Sequence, residues 1–302
     1  MIIKKEKQGG VTVYHVDKDI TDDKMDGLKN TFVKPSQIEL VLKDDADVYT
    51  ETGKLLLRFR KNKLKQDNIT SFYDNVVDFA MNTSTNRGST SGSQSKNIYD
   101  NPKIMTNIFG YFDRFSPSQK VKMTRANKKL LGVRECRFNM DYPDKYQKTL
   151  PLIQEIDNYY KKYIPENYAK QRKKANQTPF HIKDTSFTTV TTNINFQTTI
   201  HKDKGDDEEG FGNLVVIEKG KYTGGETCMP QYGIGVDVRT GDVLYMNVHE
   251  WHGNLPIKKE TPDTQRLSVV CYLRQLVWER TKNKTKGFML KHNKTVRNLR
   301  NI

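Results

Sequence analysis

The chain has 302 residues, with 51 Lys and Arg against 36 Asp and Glu, for a net charge of +15. Aromatic and branched apolar residues recur from Val11 to Trp278, which excludes disorder throughout, and no apolar stretch approaches the roughly 20 residues of a membrane span. At roughly 100–200 residues per domain, the length allows one enlarged domain or two closely packed ones.

In chain order, Met1–Glu6 shows no secretory leader. Val11–Val16, Ile38–Leu42 and Leu55–Arg60 are rich in β-branched, leucine and aromatic residues and read as short strands. Ile69, Phe72, Tyr73, Val76, Val77 and Ala80 recur at helical spacing and predict an amphipathic helix over 69–81. Residues 82–100, rich in Ser, Thr, Asn and Gly around Asn86-Arg87-Gly88, read as a flexible loop. Gln119–Arg137 holds seven Lys or Arg and one acid, Glu135. Leu152, Ile153, Ile156, Tyr159, Tyr160 and Tyr163 share one face of a predicted helix over 150–163, which Pro165 ends. Gln171–Lys174 is a further basic patch.

From 185 to 275, β-branched runs and frequent glycine without a helical period indicate an antiparallel β sandwich or barrel. Residues 279–302, with eight Lys or Arg and one acid, read as a solvated basic tail. Cys136, Cys228 and Cys271 fit neither a disulfide framework nor a CxxC zinc site, and read as reduced thiols of an intracellular protein. The positive charge suits a polyanionic partner such as nucleic acid, or serves solubility alone.

The chemistry concentrates after Thr189. Alternation over Thr189–Asp203 places Asn193, Asn195, Gln197, Thr199 and His201 on one face of a predicted strand, a polar stripe suited to a wet cavity. The stripe ends in His201-Lys202-Asp203. An imidazole and a carboxylate two residues apart supply two ligands of a 2-His-1-carboxylate site, which binds non-haem Fe(II) and leaves coordination positions open. The third ligand lies further on: Gly241–Asn254 runs from a Gly-Asp turn through an apolar strand to His249 and His252, both candidates. Arg266–Leu273 is another strand, on which Arg266 and Ser268 face together. Burying a guanidinium is costly unless it meets an anion. A carboxylate co-substrate would meet it bidentately, with the Ser268 hydroxyl as a further donor.

This combination resembles the iron- and 2-oxoglutarate-dependent dioxygenases, whose double-stranded β-helix carries HxD, a distal His and an Arg for the co-substrate's distal carboxylate. The 11 positions from Gly241 to His252 and the 14 from His252 to Arg266 match that arrangement. The resemblance implies His252 rather than His249 as the third ligand, so that His201, Asp203 and His252 are the catalytic metal ligands. It implies Arg266 and Ser268 as co-substrate binders, with Gly253 leaving room. A cupin-like zinc or manganese protein would share the ligands but would not need Arg266. The words His201–Asp206, Gly210-Phe211-Gly212, Tyr222–Glu226, Met229–Tyr232 and His249–Asn254 look like the TET/JBP branch, especially its compact fungal, phage and viral members, over residues 135–275.

That resemblance implies an α+β fold with a jelly-roll core and flanking helices. The expected division is an N-terminal extension over 1–100 with a polar loop at 82–100, a dioxygenase domain over 101–278 with its β-helix core at 185–275, and the basic tail over 279–302. Fe(II) is the implied metal, with 2-oxoglutarate and O2 as co-substrates. The implied reaction oxidises the 5-methyl group of 5-methylcytosine or thymine in nucleic acid, DNA before RNA, on a base flipped into the pocket. Asp206, Asn193, Gln197 and Arg87 are the candidate substrate contacts, Asp206 because a carboxylate accepts from the cytosine N4 amine or thymine N3–H. Phosphates would meet the basic runs at 120–137, 171–174 and 279–302.

No membrane and no obligate protein partner are expected, and the place of action is the cytoplasm or nucleus, of a host cell for a viral or phage protein. Three cysteines cannot supply the zinc-binding cysteine-rich region of TET proteins. The alternatives are a protein side-chain hydroxylase of the prolyl or lysyl type and a non-catalytic nucleic-acid-binding β-helix module.

Overall fold

Alternating and continuous apolar runs in the first sixty residues form β1 (Ile2–Gln8), β2 (Val11–Val16), β3 (Leu40–Leu42), β4 (Ala46–Thr50) and β5 (Leu55–Arg60) in the computed structural model, which describes residues 2–115, 117–127 and 130–300. Further strands are β6 (Thr106–Phe112), β7 (Arg134–Glu135), β8 (Thr189–Ile194), β9 (Gly212–Lys219), β10 (Tyr222–Gly224), β11 (Thr227–Met229) and β12 (Ile234–Val236). The last are β13 (Val243–Met246), β14 (Gly253–Asn254), β15 (Ile257–Lys259) and β16 (Gln265–Tyr272). The helices are α1 (Asp22–Leu28), α2 (Gln66–Ala80), α3 (Pro117–Arg125), α4 (Arg137–Asp141), α5 (Pro143–Tyr163), α6 (Pro165–Ala175), α7 (Gln275–Thr281) and α8 (Lys286–Arg300). Lys128 and Lys129 of the basic run, and the last two residues of the tail, lie outside the described residues.

The chain divides into two units: Met1–Asn107, Thr192–Lys204 and Phe211–Val270 form the first, and Ile108–Thr191, Gly205–Gly210 and Cys271–Ile302 the second. This differs from the expected split at residue 100. In the first unit a sheet runs β1-β2-β4-β5-β13-β9-β16-β8, and a smaller one runs β14-β11-β12-β3. Val16, Val48, Leu57 and Phe59 of the large sheet pack with Leu42, Ile234 and Val236 of the small one in a single buried cluster. Two sheets sharing an apolar core make a jelly roll. Residues 1–100 are therefore no appendage: β5 pairs antiparallel with β13, and β3 pairs parallel with β12. The charged members of β5 are satisfied across strands, since Arg58 and Arg60 meet the buried Asp47 of β4 at 2.8 and 2.7 Å.

The predicted helix at 69–81 is α2, buried through Ile69, Phe72, Val76 and Ala80. The predicted strand over 189–203 stops earlier. β8 ends at Ile194 because Asn195 takes a left-handed φ of 50°, so alternation does not continue to His201.

In the second unit, the helix predicted from 150 starts at Pro143, and Pro151 lies inside it; Pro165 opens α6. Asp157 of α5 accepts from the Ser186 backbone N–H and hydroxyl at 2.8 and 2.6 Å. The residues expected as a solvated tail form α7 and α8. Val296 and Leu299 are buried, His292 bonds the Val133 carbonyl at 2.7 Å, and Arg297 pairs with Glu135 at 2.7 Å. Met289, His292, Val296 and Leu299 recur at helical spacing, a period masked by the lysines between them.

Candidate metal and co-substrate site

The site is assembled in the first unit. His201, after β8, and His252, just before β14, exchange backbone hydrogen bonds of 2.9 Å in both directions, an isolated antiparallel bridge that sets their rings 4.3 Å apart. Nδ1 of His201 lies 2.7 Å from the Thr199 carbonyl, and Nδ1 of His252 lies 2.9 Å from the Glu250 carbonyl. A carbonyl only accepts, so each Nδ1 carries the proton and each Nε2 keeps its lone pair. Both Nε2 atoms face Asp203, at 3.7 Å from Oδ1 and 3.7 Å from Oδ2 respectively. Burial and the neighbouring His201 push His252 down to about 4, which keeps it a neutral ligand near neutral pH.

Among the described residues, these three groups form the cluster able to hold a metal ion, with ligand atoms within 4.8 Å of one another. Two imidazole nitrogens and one carboxylate fit the facial donor set of non-haem Fe(II). His249 is turned elsewhere: its Nδ1 lies 3.1 Å from the Asp203 carbonyl, while the Asp203 N–H donates to Val248 at 2.9 Å. It therefore steadies the backbone that carries the carboxylate.

The surroundings explain why this arrangement holds. Lys202 sits 4.9 Å above the Trp251 ring, tying the two histidine segments together a second time. Glu250, whose carbonyl orients His252, is anchored by Lys54 at 2.7 Å and Tyr232 at 3.3 Å. Beneath them Ile200 and Trp251 pack on Met25 of α1, Val33 and Cys228. The polar loop is held too, since Thr199 binds the carbonyls of Ser89 and Thr90 at 3.0 Å each. Met25 is fully buried. Met25→Ala is expected to cost about 2–4 kcal/mol in urea unfolding and to weaken metal binding, because the cavity lies under both ligand segments.

Arg266 is the second residue of β16, is 4 % exposed, and leaves its Nε without a hydrogen bond. Its backbone N–H donates to Asn195 Oδ1 at 2.8 Å and its carbonyl accepts from the Asn195 N–H at 3.1 Å, linking it to the segment leading to His201. A buried guanidinium nitrogen lacking an acceptor fits a carboxylate ligand. Gly225, at φ 78°, lets the chain pass: a Cβ there would lie 2.9 Å from Arg266 Nε. Gly225→Ala is expected to lower stability by about 1–2 kcal/mol and to weaken 2-oxoglutarate binding in a calorimetric titration, by shifting that side chain.

Ser268 is buried and accepts from Asn193 Nδ2 at 3.3 Å, while Asn193 Oδ1 accepts from Thr106 at 2.7 Å. Gln197 reaches the Asn254 carbonyl at 3.4 Å. Arg87 is half-buried in the loop and makes no hydrogen bond or ion pair among the described residues. Asp206 belongs to the second unit, where it is buried and pairs with Arg274 at 3.3 Å; Arg274 also grips Asp113 at 3.1 Å. Lys174 of the basic patch is committed to Asp207 and Glu209. The space expected beside Gly253 is taken: a Cβ there would lie 2.9 Å from Val33 and 3.2 Å from the Thr199 carbonyl. One site feature escapes local sequence reading, the Lys54–Glu250–Tyr232 anchor.

The family model described as the oxygenase domain of the 2OGFeDO superfamily, Tet_JBP, matches residues 122–275, a little over half of the chain. The chain is 30% identical over 190 residues to "Thymine dioxygenase JBP1-B" of Trypanosoma cruzi, covering 62% of this chain and 21% of the relative. It is 32% identical over 171 residues to "Bifunctional helicase and thymine dioxygenase JBP2" of Leishmania infantum, covering 56% of this chain and 14% of the relative. It thus spans about a fifth or less of these relatives' length. The solved structure of NgTET1 in complex with 5mC DNA aligns with a TM-score of 0.53 at 15% identity, covering 84% of this chain and 86% of that one, a likeness of fold. With jelly roll, ligand cluster and family match in agreement, the chain belongs to the Tet_JBP family, the oxygenase domain of the 2OGFeDO superfamily.

Proposed function

We propose that this chain is an Fe(II)- and 2-oxoglutarate-dependent dioxygenase that oxidises the 5-methyl group of a pyrimidine in DNA. The observation that carries the reading is the pairing of the His201–Asp203–His252 cluster with a buried Arg266 whose Nε has no acceptor. A metal site alone would need no such arginine. Iron(II) held by these three residues, with 2-oxoglutarate and O2, supplies the oxidising power to hydroxylate a methyl C–H bond. The chain's part is positioning. Thr199 and Glu250 fix the imidazole tautomers, and His249 and Val248 hold Asp203 in place. Arg266 receives the distal carboxylate of the co-substrate.

The relatives' names speak for thymine and the fold neighbour's for 5-methylcytosine. In either base the methyl group lies inside the stack, so the base must swing out of the duplex to reach a buried metal, at a cost of about a few kcal/mol. The net charge of +15 favours a polyphosphate partner. The test incubates the protein with Fe(II), 2-oxoglutarate, O2 and duplexes containing thymine or 5-methylcytosine, with matching RNA, followed by nucleoside mass spectrometry. A 5-hydroxymethyl base in DNA, formed together with succinate, is the expected product. Succinate release with every base unaltered would overturn the substrate assignment.

A further inference from the structure

We propose that the exposed face of α8 is a docking surface for the phosphate backbone of duplex DNA. The inference rests on the reading above and deepens it, since it names the part of this chain that grips the polyanion. It starts from where the charge lies. The second unit carries 26 Lys and Arg against 13 Asp and Glu, a net of +13. The first carries 25 against 23, a net of +2. The unit with the His201–Asp203–His252 cluster is thus nearly neutral, and the helical unit supplies almost all of the positive charge.

Many cations near the C-terminal end of that unit are spent on the fold. Arg274 pairs with Asp206 and Asp113, Arg297 pairs with Glu135, and Arg280 donates to the carbonyls of Asp113 and Gly132 at 2.8 and 2.7 Å. Lys282 and Lys284 lie over the rings of Trp278 and Phe288 at 4.8 and 5.2 Å. Lys286, Lys291 and Lys294 are different: each is exposed and makes no hydrogen bond or ion pair among the described residues. They lie on the arc of α8 away from the buried His292, Val296 and Leu299. No Asp or Glu follows Glu279, so the helix holds no acid to pair with them. Nor do these charges serve the helix itself. Lys286 stands in its first turn, where the macrodipole favours an acid, and Lys291 and Lys294 repel each other across one turn. Closely spaced lysines without a protein counter-charge match a row of phosphates. A helix that binds an anionic bilayer needs its apolar side free, and that side of α8 is buried in the protein.

The test measures anisotropy of a labelled short duplex with the full chain over a series of KCl concentrations. Lys286→Gln/Lys291→Gln/Lys294→Gln is compared with Lys219→Gln/Lys258→Gln/Lys259→Gln, which removes the same charge from three exposed lysines of the first unit. At about 0.1 M salt the α8 variant should bind on the order of a hundredfold more weakly, with the slope of log K against log salt shallower by about 2–3. The first-unit variant should bind as the wild type does. Each single α8 substitution should take about 0.9 from the slope, and melting temperatures measured alongside show that the variants are folded. Equal losses for the two triple variants, or an unchanged slope, overturn the role of α8. Tighter binding of the wild type to phosphatidylserine vesicles than to the duplex, lost in the α8 variant, overturns the choice of DNA. If the wild type grips DNA through α8 and no base is oxidised, this surface stands and the substrate reading above fails. If bases are oxidised while the α8 variant binds like the wild type, that reading stands and this inference fails.

Discussion

Replacing His252 with alanine is expected to lower Fe(II) or Mn(II) affinity on the order of a hundredfold or more, and with it all turnover. His252 is 6 % exposed and its Nε2 is turned to Asp203, whereas His249 Nδ1 lies against the Asp203 carbonyl. His249→Ala should therefore weaken metal binding by about tenfold, the scale of losing a contact that orients a ligand. Titration of the stripped protein with Mn(II), followed by electron paramagnetic resonance, separates the two. If the His249 variant loses the metal and the His252 variant keeps it, the ligand assignment is reversed. Both variants retain the backbone bridge between residues 201 and 252, because that bridge uses main-chain atoms. A folded protein is thus expected in each case, and the loss reads on the imidazole alone.

How much of this was legible beforehand depends on whether a feature is local. His201-Lys202-Asp203, the step from Gly241 to His252 and the arginine near the start of β16 are chemical identities at short or regular spacing, and they survive transfer into three dimensions. The helix α2 was visible through its apolar period for the same reason. What the first hundred residues build was not, since β3 and β5 find their partners β12 and β13 far along the chain. Pairing of that kind leaves no mark in a local window. The tail misled in another way: eight cations dominate its composition, while the few apolar residues that bury α8 are outnumbered.

The stripe from Asn193 to His201 failed at one backbone torsion. Asn195 turns left-handed and uses its side chain to hold Arg266 and Thr264, so the strand period ends there. A residue expected to line a wet cavity instead braces the residue expected to hold the co-substrate. Gly253 shows the same limit. Its small size was read as room for a ligand, but the room is needed by Val33 and by the Thr199 carbonyl that orients His201.

Arg266→Met is expected to separate stability from function. Methionine roughly matches the aliphatic length of arginine and removes a charge that is 4 % exposed with an unsatisfied Nε. Burial lowers the guanidinium pKa, a sign that the charged form is costly at this position. Removing such a group is close to neutral, within about 1 kcal/mol either way, because relief of a buried charge offsets the hydrogen bond lost by Tyr222. The metal-loaded variant should bind Mn(II) as the wild type does, since the His201–His252 bridge and the Asp203 contacts do not pass through this side chain. Its affinity for 2-oxoglutarate should fall by about two orders of magnitude, the loss of a desolvated, charge-assisted contact. Arg266→Lys should recover only part of this, because an ammonium cannot present the guanidinium's paired donors. A variant that melts well below the wild type and loses metal and co-substrate together would show the Arg266 side chain acting as a structural strut, with no anion to receive.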